Sequence, residues 1–217
     1  MIEAAIFDLD GLLIHSEEVW DAVREEYVRA QGRPYTAEVQ RAMMGMSSTE
    51  WSRYLHETVG IPDEPEAINA EVVRRMLEAY RRHLPLAPGA VEAVERVAAR
   101  FPLALASSSN RPLIDEVLEL AGLAPCFRAT LSSEEVGRGK PAPDVYLEAA
   151  RRLGVAPERC AAVEDSQAGI RSAHTAGMRV VAIPNASYPP DAEALALADV
   201  VLASLDQLTQ ESVAGSS

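Results

Sequence analysis

Two aspartates separated by one residue, Asp8 and Asp10, are the side chains with the clearest capacity for chemistry. They follow a short apolar run, residues 4–7, which predicts a buried strand, and Gly11 lets the backbone turn away directly afterwards. Side chains alternate between the faces of a strand, so the two carboxylates project the same way if the extended chain continues. Their mutual repulsion would be relieved by a divalent cation such as Mg²⁺, which prefers oxygen ligands. The pattern therefore predicts a metal site at the carboxyl end of a strand, where open α/β sheets bind ligands.

Three further polar loops follow predicted strands. Ser107 and Ser108 precede a predicted helix, whose N-terminus could bind phosphate, although serine is also an ordinary helix cap. Lys140 is the only lysine of the chain and lies in a Gly/Pro-rich loop. Its compact ammonium suits a phosphate oxygen, with a solvated surface lysine as the alternative. Glu164 and Asp165 could complete a Mg²⁺ site, or serve as a solvated side chain and a helix cap.

The order of these motifs, Asp-x-Asp, serine, Lys-Pro and Glu-Asp, resembles the haloacid dehalogenase-like (HAD) hydrolase superfamily. The resemblance spans essentially the whole chain, with motifs at residues 7–13, 106–109, 139–146 and 163–169. Residues 11–17 most resemble the sugar-phosphate phosphatases and their β-phosphoglucomutase relatives. The resemblance implies an enzyme, a Mg²⁺-dependent phosphomonoesterase that hydrolyses small phosphorylated metabolites through an aspartyl-phosphate intermediate.

The resemblance also implies a role for each motif residue. Asp8 would be the nucleophile, and Asp10 would protonate the leaving oxygen and then activate water, roles that suit carboxyl groups. The implied phosphoryl-binding residues are Ser107, Ser108 and Lys140. The implied metal ligands are Asp8, Asp10 through its carbonyl oxygen, Asp165, and Glu164 either directly or through water. Further candidates for substrate contacts are Asn110, His15, Trp20 and Met44.

Alternative reactions are separated by particular residues. Dehalogenase members of the superfamily lack an acid at the place of Asp10, which argues against that reaction. Phosphonate-cleaving relatives use a lysine in the helical cap, and residues 15–83, the predicted cap here, contain no lysine. A β-phosphoglucomutase-like mutase is harder to exclude. Mutase relatives carry an arginine for a second phosphate near Ser48, and a hydroxyl cannot clamp a dianion as a guanidinium does. We therefore favour the phosphatase, and a non-catalytic phosphometabolite binder is a third alternative.

Strands and helices alternate along most of the chain, and this alternation must position the site. The predicted strands after the first are 103–106, 129–131, 161–163, 179–183 and 200–202. Helices are predicted near 89–100, 111–121, 143–153 and 168–176. We expect an α/β fold with a Rossmann-like parallel sheet and right-handed crossovers. Residues 1–14 and 84–217 would form the HAD-like core domain, and residues 15–83 an inserted helical cap domain that can close over the site.

Helix boundaries inside the predicted cap are marked by capping residues. One helix is predicted over 16–31, and a second begins at Ser47, where Ser47 and Glu50 have capping-box spacing, and ends at Gly60. Asp63 and Glu66 repeat that spacing before a longer helix.

Composition limits the partners of the chain. A net charge of −13 argues against nucleic acid. No apolar run is long enough for a membrane span, and the N-terminus lacks the pattern of a signal peptide. We therefore expect a cytoplasmic monomer whose partner is a small phosphorylated metabolite.

Overall fold

A parallel six-stranded sheet forms the centre of the computed structural model, which describes residues 1–43 and 46–215. The strands are β1 (Ala4–Phe7), β2 (Leu103–Ser107), β3 (Phe127–Ser132), β4 (Cys160–Glu164), β5 (Arg179–Ala182) and β6 (Val200–Val201). Their spatial order is β3-β2-β1-β4-β5-β6, and every neighbouring pair is parallel. The predicted α/β class is confirmed, and β1 lies between β2 and β4.

Helices surround the sheet and fill the segment between β1 and β2. Within that segment are α1 (Glu17–Ala30), α2 (Ala37–Met43), α3 (Ser48–Tyr54), a π-helical turn (Leu55–Val59) and α4 (Pro65–Arg82). The later helices are α5 (Ala90–Ala98), α6 (Arg111–Leu120), α7 (Asp144–Leu153), α8 (Gln167–Thr175), α9 (Ala192–Leu195) and α10 (Gln210–Ala214). Short 3-10 turns occur at Ala124–Cys126, Ser133–Glu135, Pro157–Arg159 and Leu205–Gln207. None of the described helices combines the length and apolar character needed to cross a bilayer.

The central strand is apolar on both faces because helices cover both. Ala5 and Phe7 belong to one buried cluster, and Ala4 and Ile6 to the cluster on the other face. The first cluster continues without a break into the helices of residues 15–83. Burial therefore does not separate two domains, and the division into a core and a cap stays a prediction.

Two antiparallel chain segments connect residues 15–83 to the sheet. The His15 N–H donates to the Pro85 carbonyl oxygen at 2.8 Å, and the Ala87 N–H donates to the Leu13 carbonyl oxygen at 2.9 Å. The outgoing and returning chains therefore lie side by side, next to the paired aspartates.

One predicted capping box is confirmed and the other is wrong. Ser47 and Glu50 form the reciprocal bonds of a capping box at the start of α3, and Gly60 ends the π-helical turn. The longer helix begins instead at Pro65, after Glu64, which makes no side-chain cap. Asp63 does not cap it because its Oδ2 accepts from the Tyr27 hydroxyl at 2.9 Å, a long-range contact that residue spacing does not reveal.

Helix α6 offers a test of the packing on the first face of the sheet. Ile114 is fully buried, whereas Glu119 on the same helix is exposed. We expect Ile114→Ala to lower the free energy of unfolding by about 2–5 kcal/mol, because it removes buried methylene groups and leaves a cavity. Glu119→Ala should change it by less than about 0.5 kcal/mol. Urea-induced unfolding of both variants measures the difference, and equal effects would contradict the packing described here.

Candidate active site

Strand register brings three motifs to one edge of the sheet. Phe7 is aligned with Leu105 of β2 and with Val163 of β4. The Asp8 N–H extends the second pairing by donating to the Val163 carbonyl oxygen at 3.0 Å. Because the carboxyl ends of neighbouring parallel strands meet at one edge, side chains distant in sequence become neighbours there.

An acidic cluster lies at this edge. Asp8, Glu164 and Asp165 are all buried, and each can present a carboxylate oxygen within 4.8 Å of the others. Lys140 reaches into the cluster: its Nζ donates to Asp8 Oδ1 and to Glu164 Oε1, both at 2.6 Å, and to the Ala106 carbonyl oxygen at 3.0 Å. The only lysine of the chain is therefore a buried partner of two carboxylates rather than a solvated surface residue.

The cluster is short of positive charge. Burial raises the pKa of Asp8 to about 8, even though the adjacent Lys140 ammonium acts to lower it. Burial also raises the pKa of Asp165, and the nearby Glu164 and Asp8 carboxyls add to the rise. Asp165 Oδ1 is buried and has no hydrogen-bond partner among the described residues. This donor set fits a divalent cation, which would supply the missing charge and the missing partner.

Both carboxylate oxygens of Glu164 accept hydrogen bonds from the protein, unlike Asp165 Oδ1. Oε1 accepts from Lys140 and, at 2.7 Å, from the Tyr146 hydroxyl. Oε2 accepts from the Asp165 N–H at 3.1 Å and from the N–H and hydroxyl of Ser166 at 3.2 and 3.1 Å. Glu164 is therefore held in place by the protein itself.

Asp10 occupies a separate position, ringed by hydroxyl groups. Its Oδ1 accepts from Ser16 at 2.7 Å, and its Oδ2 accepts from Ser109 at 2.7 Å and from Ser107 at 3.1 Å. Ser107 also accepts from the Ser109 N–H at 2.9 Å. The side chain of Asp10 is thus oriented by hydroxyl groups, independently of the acidic cluster.

Two glycines make room for the acidic cluster. Gly11 has a φ of +84°, and a Cβ there would lie 2.1 Å from Asp165 Oδ2. Gly169 lies against the other acid, and a Cβ there would be 1.8 Å from Glu164 Oε1. Any side chain at either position would displace a carboxyl group.

A cavity of about 280 Å³ opens between the edge of the sheet and the helices of residues 15–83. From the sheet side its wall includes Asp10, Ser108 and Asp165. Trp20 on α1 contributes from the helical side. Polar groups suited to a phosphate ester and an aromatic surface therefore face one space.

The other sequence-predicted substrate contacts lie elsewhere. His15 lines a second cavity, of about 520 Å³, which also contacts Pro184 and Asp206. Asn110 is buried: its Oδ1 accepts from the Ser48 hydroxyl at 2.9 Å, and its Nδ2 donates to Glu134 at 2.6 Å. It therefore ties the helical segment to the sheet. Met44 is outside the described residues.

Several residues of the site were missed by sequence reasoning. Tyr146 lies six positions after Lys140, at the end of a recognised motif, yet reads as an apolar residue of a helix. Ser16 and Ser109 lie within recognised motifs but look like helix caps. Arg24 lines the cavity, but in sequence it is one charged residue in a highly charged helix.

Comparisons with known proteins agree with this geometry. The family model for haloacid dehalogenase-like hydrolases matches residues 2–177. Hexitol phosphatase B of Escherichia coli strain K12 is 34% identical over 220 residues, covering 99% of this chain and 97% of that protein. The phosphorylated carbohydrates phosphatase of Thermotoga maritima is 33% identical over 178 residues, covering 82% of each. The crystal structure of CbbY from Rhodobacter sphaeroides in complex with phosphate has a TM-score of 0.85, with 29% identity and 96% of both chains covered.

Gly169 provides a test of the close packing around Glu164. If the acidic cluster holds a divalent cation, we expect Gly169→Ala to weaken its binding by about 10- to 100-fold, because the added methyl group would displace a carboxylate that orients the cluster. Gly137→Ala is the matched control, since the nearest described atom to its Cβ would be Asp144 Oδ1, at 3.7 Å. Calorimetric titration with Mg²⁺ measures both variants, and an unchanged affinity in Gly169→Ala would contradict the packing at Glu164.

Proposed function

This chain belongs to the haloacid dehalogenase-like hydrolase family, and we propose that it hydrolyses phosphate monoesters of small metabolites, sugar phosphates above all. The observation that carries the proposal is the buried Asp8 carboxyl, which contacts Lys140 and lies in a cluster of three carboxyl groups with one ammonium. The relatives named for hexitol and carbohydrate phosphatase activity support the substrate class. A cavity of about 280 Å³ suits a small ligand.

We assign the metal to the acidic cluster and propose Mg²⁺. Asp8, Asp165 and the Asp10 carbonyl oxygen would hold it, because hard oxygen donors suit this ion. Glu164 would act through water, since both of its oxygens already accept from protein donors. When bound, the ion neutralises charge on the phosphoryl oxygens and keeps Asp8 ionised.

The proposed reaction has two steps. Asp8 attacks phosphorus and forms an aspartyl-phosphate while the ester P–O bond breaks, and Asp10 gives its proton to the departing alkoxide. Water then attacks phosphorus, Asp10 takes a proton from that water, and the bond from phosphorus to Asp8 breaks.

Positioning accounts for most of the rate in such a reaction. Ser107, Ser108 and Lys140 would hold the phosphoryl oxygens. Lys140 also fixes Asp8, since its ammonium contacts Asp8 and Glu164 together. The helices of residues 15–83 would act as the cap, closing over the ester and excluding water.

The mutase alternative gains no support from the position near Ser48. Ser48, near the position where mutase relatives carry arginine, lines the cavity, but its hydroxyl donates to Asn110 Oδ1 at 2.9 Å. This side chain is engaged in packing the helical segment against the sheet.

Replacement of the proposed nucleophile tests the reaction class. We expect Asp8→Asn to lower phosphate release from sugar phosphates by more than about 1,000-fold, because losing a covalent nucleophile in other enzymes costs up to about a millionfold. Asp115→Asn, on the exposed side of α6, is the control. Release by the wild type should also stop when Mg²⁺ is chelated.

The same assay separates the alternatives. Equal, negligible release by the wild type and Asp8→Asn would contradict the phosphatase and indicate a binder. Interconversion of β-glucose 1-phosphate and glucose 6-phosphate without net phosphate release would instead indicate a mutase.

Replacing Lys140 with arginine tests whether the reaction requires a compact ammonium group. We expect Lys140→Arg to lower kcat by about 100-fold or more, because the wider guanidinium does not fit between Asp8, Glu164 and the Ala106 carbonyl oxygen. Circular dichroism checks that the variant is folded. A folded variant with kcat near that of the wild type would show that charge alone suffices.

A further inference from the structure

Arg24 on α1 holds a guanidinium between two aromatic side chains. Its Cζ lies 4.7 Å from the ring centroid of Trp20 and 4.9 Å from that of Trp51. The two indoles pack edge to face, with their centroids 6.1 Å apart. Since Trp51 is almost fully buried, the aromatic pair fixes the guanidinium in one place.

The hydrogen-bonding capacity of Arg24 is not met by the protein that surrounds it. Its Nε is buried and has no partner among residues 1–43 and 46–215. Asp21, one turn earlier, lines the same cavity, but its Oδ1 accepts from the Tyr35 hydroxyl at 2.6 Å. A buried donor left unpaired is costly, so an acceptor from outside the chain would relieve it.

Aromatic contacts alone do not explain a charged side chain here. Methionine or leucine would fill the space between two indoles without the cost of burying a guanidinium. Burial lowers the pKa of Arg24 to about 10, which still leaves it cationic at neutral pH. The position therefore offers a fixed, planar cation to the cavity, and such a group pairs best with a carboxylate or phosphate.

The cavity connects this cation with the proposed reaction. Arg24 contributes from the helical side, whereas Asp10 and Ser108 contribute from the edge of the sheet. A ligand with its ester at the sheet edge would direct its other end towards the helices.

We propose that Arg24 determines specificity by binding an anionic oxygen group, a carboxylate or a second phosphate, at the end of the substrate remote from the ester. This inference rests on the proposed phosphatase function and deepens it. The preferred substrates are phosphorylated sugar acids or sugar bisphosphates, and neutral sugar and polyol monophosphates are poorer.

Three ligands that differ only at the remote carbon test this assignment. Glucitol 6-phosphate is neutral there, 6-phosphogluconate carries a carboxylate, and glucitol 1,6-bisphosphate carries a phosphate. Calorimetry with the Asp8→Asn protein and Mg²⁺ measures binding without turnover. We expect at least one anionic ligand to bind about 10- to 100-fold more tightly than glucitol 6-phosphate. The stronger of the two identifies the anionic group.

Adding Arg24→Met to the Asp8→Asn protein should remove that preference while changing the affinity for glucitol 6-phosphate less than about threefold. Arg24→Lys should restore part of it, because the charge remains but the planar fork does not. Arg29→Met, on the exposed side of the same helix, is the control. The ratio between ligands does not depend on the folded fraction, so poor folding cannot imitate the result.

An equal loss of all three affinities in Arg24→Met, or no preference for an anion in the Asp8→Asn protein, would overturn the assignment. The kcat/KM ratios of the wild type and Arg24→Met should change in the same way, chiefly through KM. Because binding is measured without turnover, failure of the phosphatase proposal would leave the calorimetric result to decide the role of Arg24.

Discussion

Three buried carboxyl groups share one ammonium at the end of the central strand, and this shortage of positive charge is the constraint on which the site depends. Lys140 contacts Asp8 and Glu164 but leaves Asp165 Oδ1 without a partner among the described residues. Burial raises the pKa of Asp8 even though the adjacent Lys140 ammonium acts to lower it. A cation that completes the cluster would also ionise Asp8, the proposed nucleophile, so the proposed metal binding and reactivity would have one physical cause.

Strand register and close packing bring the carboxyl groups of this cluster together. Placing β1 between β2 and β4 brings motifs from distant parts of the chain to one edge. Gly11 and Gly169 leave space for carboxyl groups that any side chain would displace. A ring of serine hydroxyls holds Asp10 apart from the cluster. Two carboxylates that are neighbours in sequence can therefore take different chemical roles.

The sequence predicts those features that depend on local pattern. Apolar runs and capping residues locate the strands and most helices, and the order of the polar loops identifies the family. Long-range contacts are beyond such patterns: Asp63 binds Tyr27 instead of capping a helix, and Asn110 turns inward to Ser48. Arg24 is a further example. In sequence it resembles the solvated charged residues of α1, and only the packing of α1 against Trp51 distinguishes it from them.

A crystal structure of the protein with Mg²⁺ and beryllium trifluoride, which mimics a phosphoryl group on aspartate, tests directly whether one cation completes the acidic cluster and activates Asp8. We expect beryllium bonded to an Asp8 carboxylate oxygen, with the cation about 2.1 Å from carboxylate oxygens of Asp8 and Asp165. Beryllium on another residue, or a cation that leaves Asp165 untouched, would contradict it.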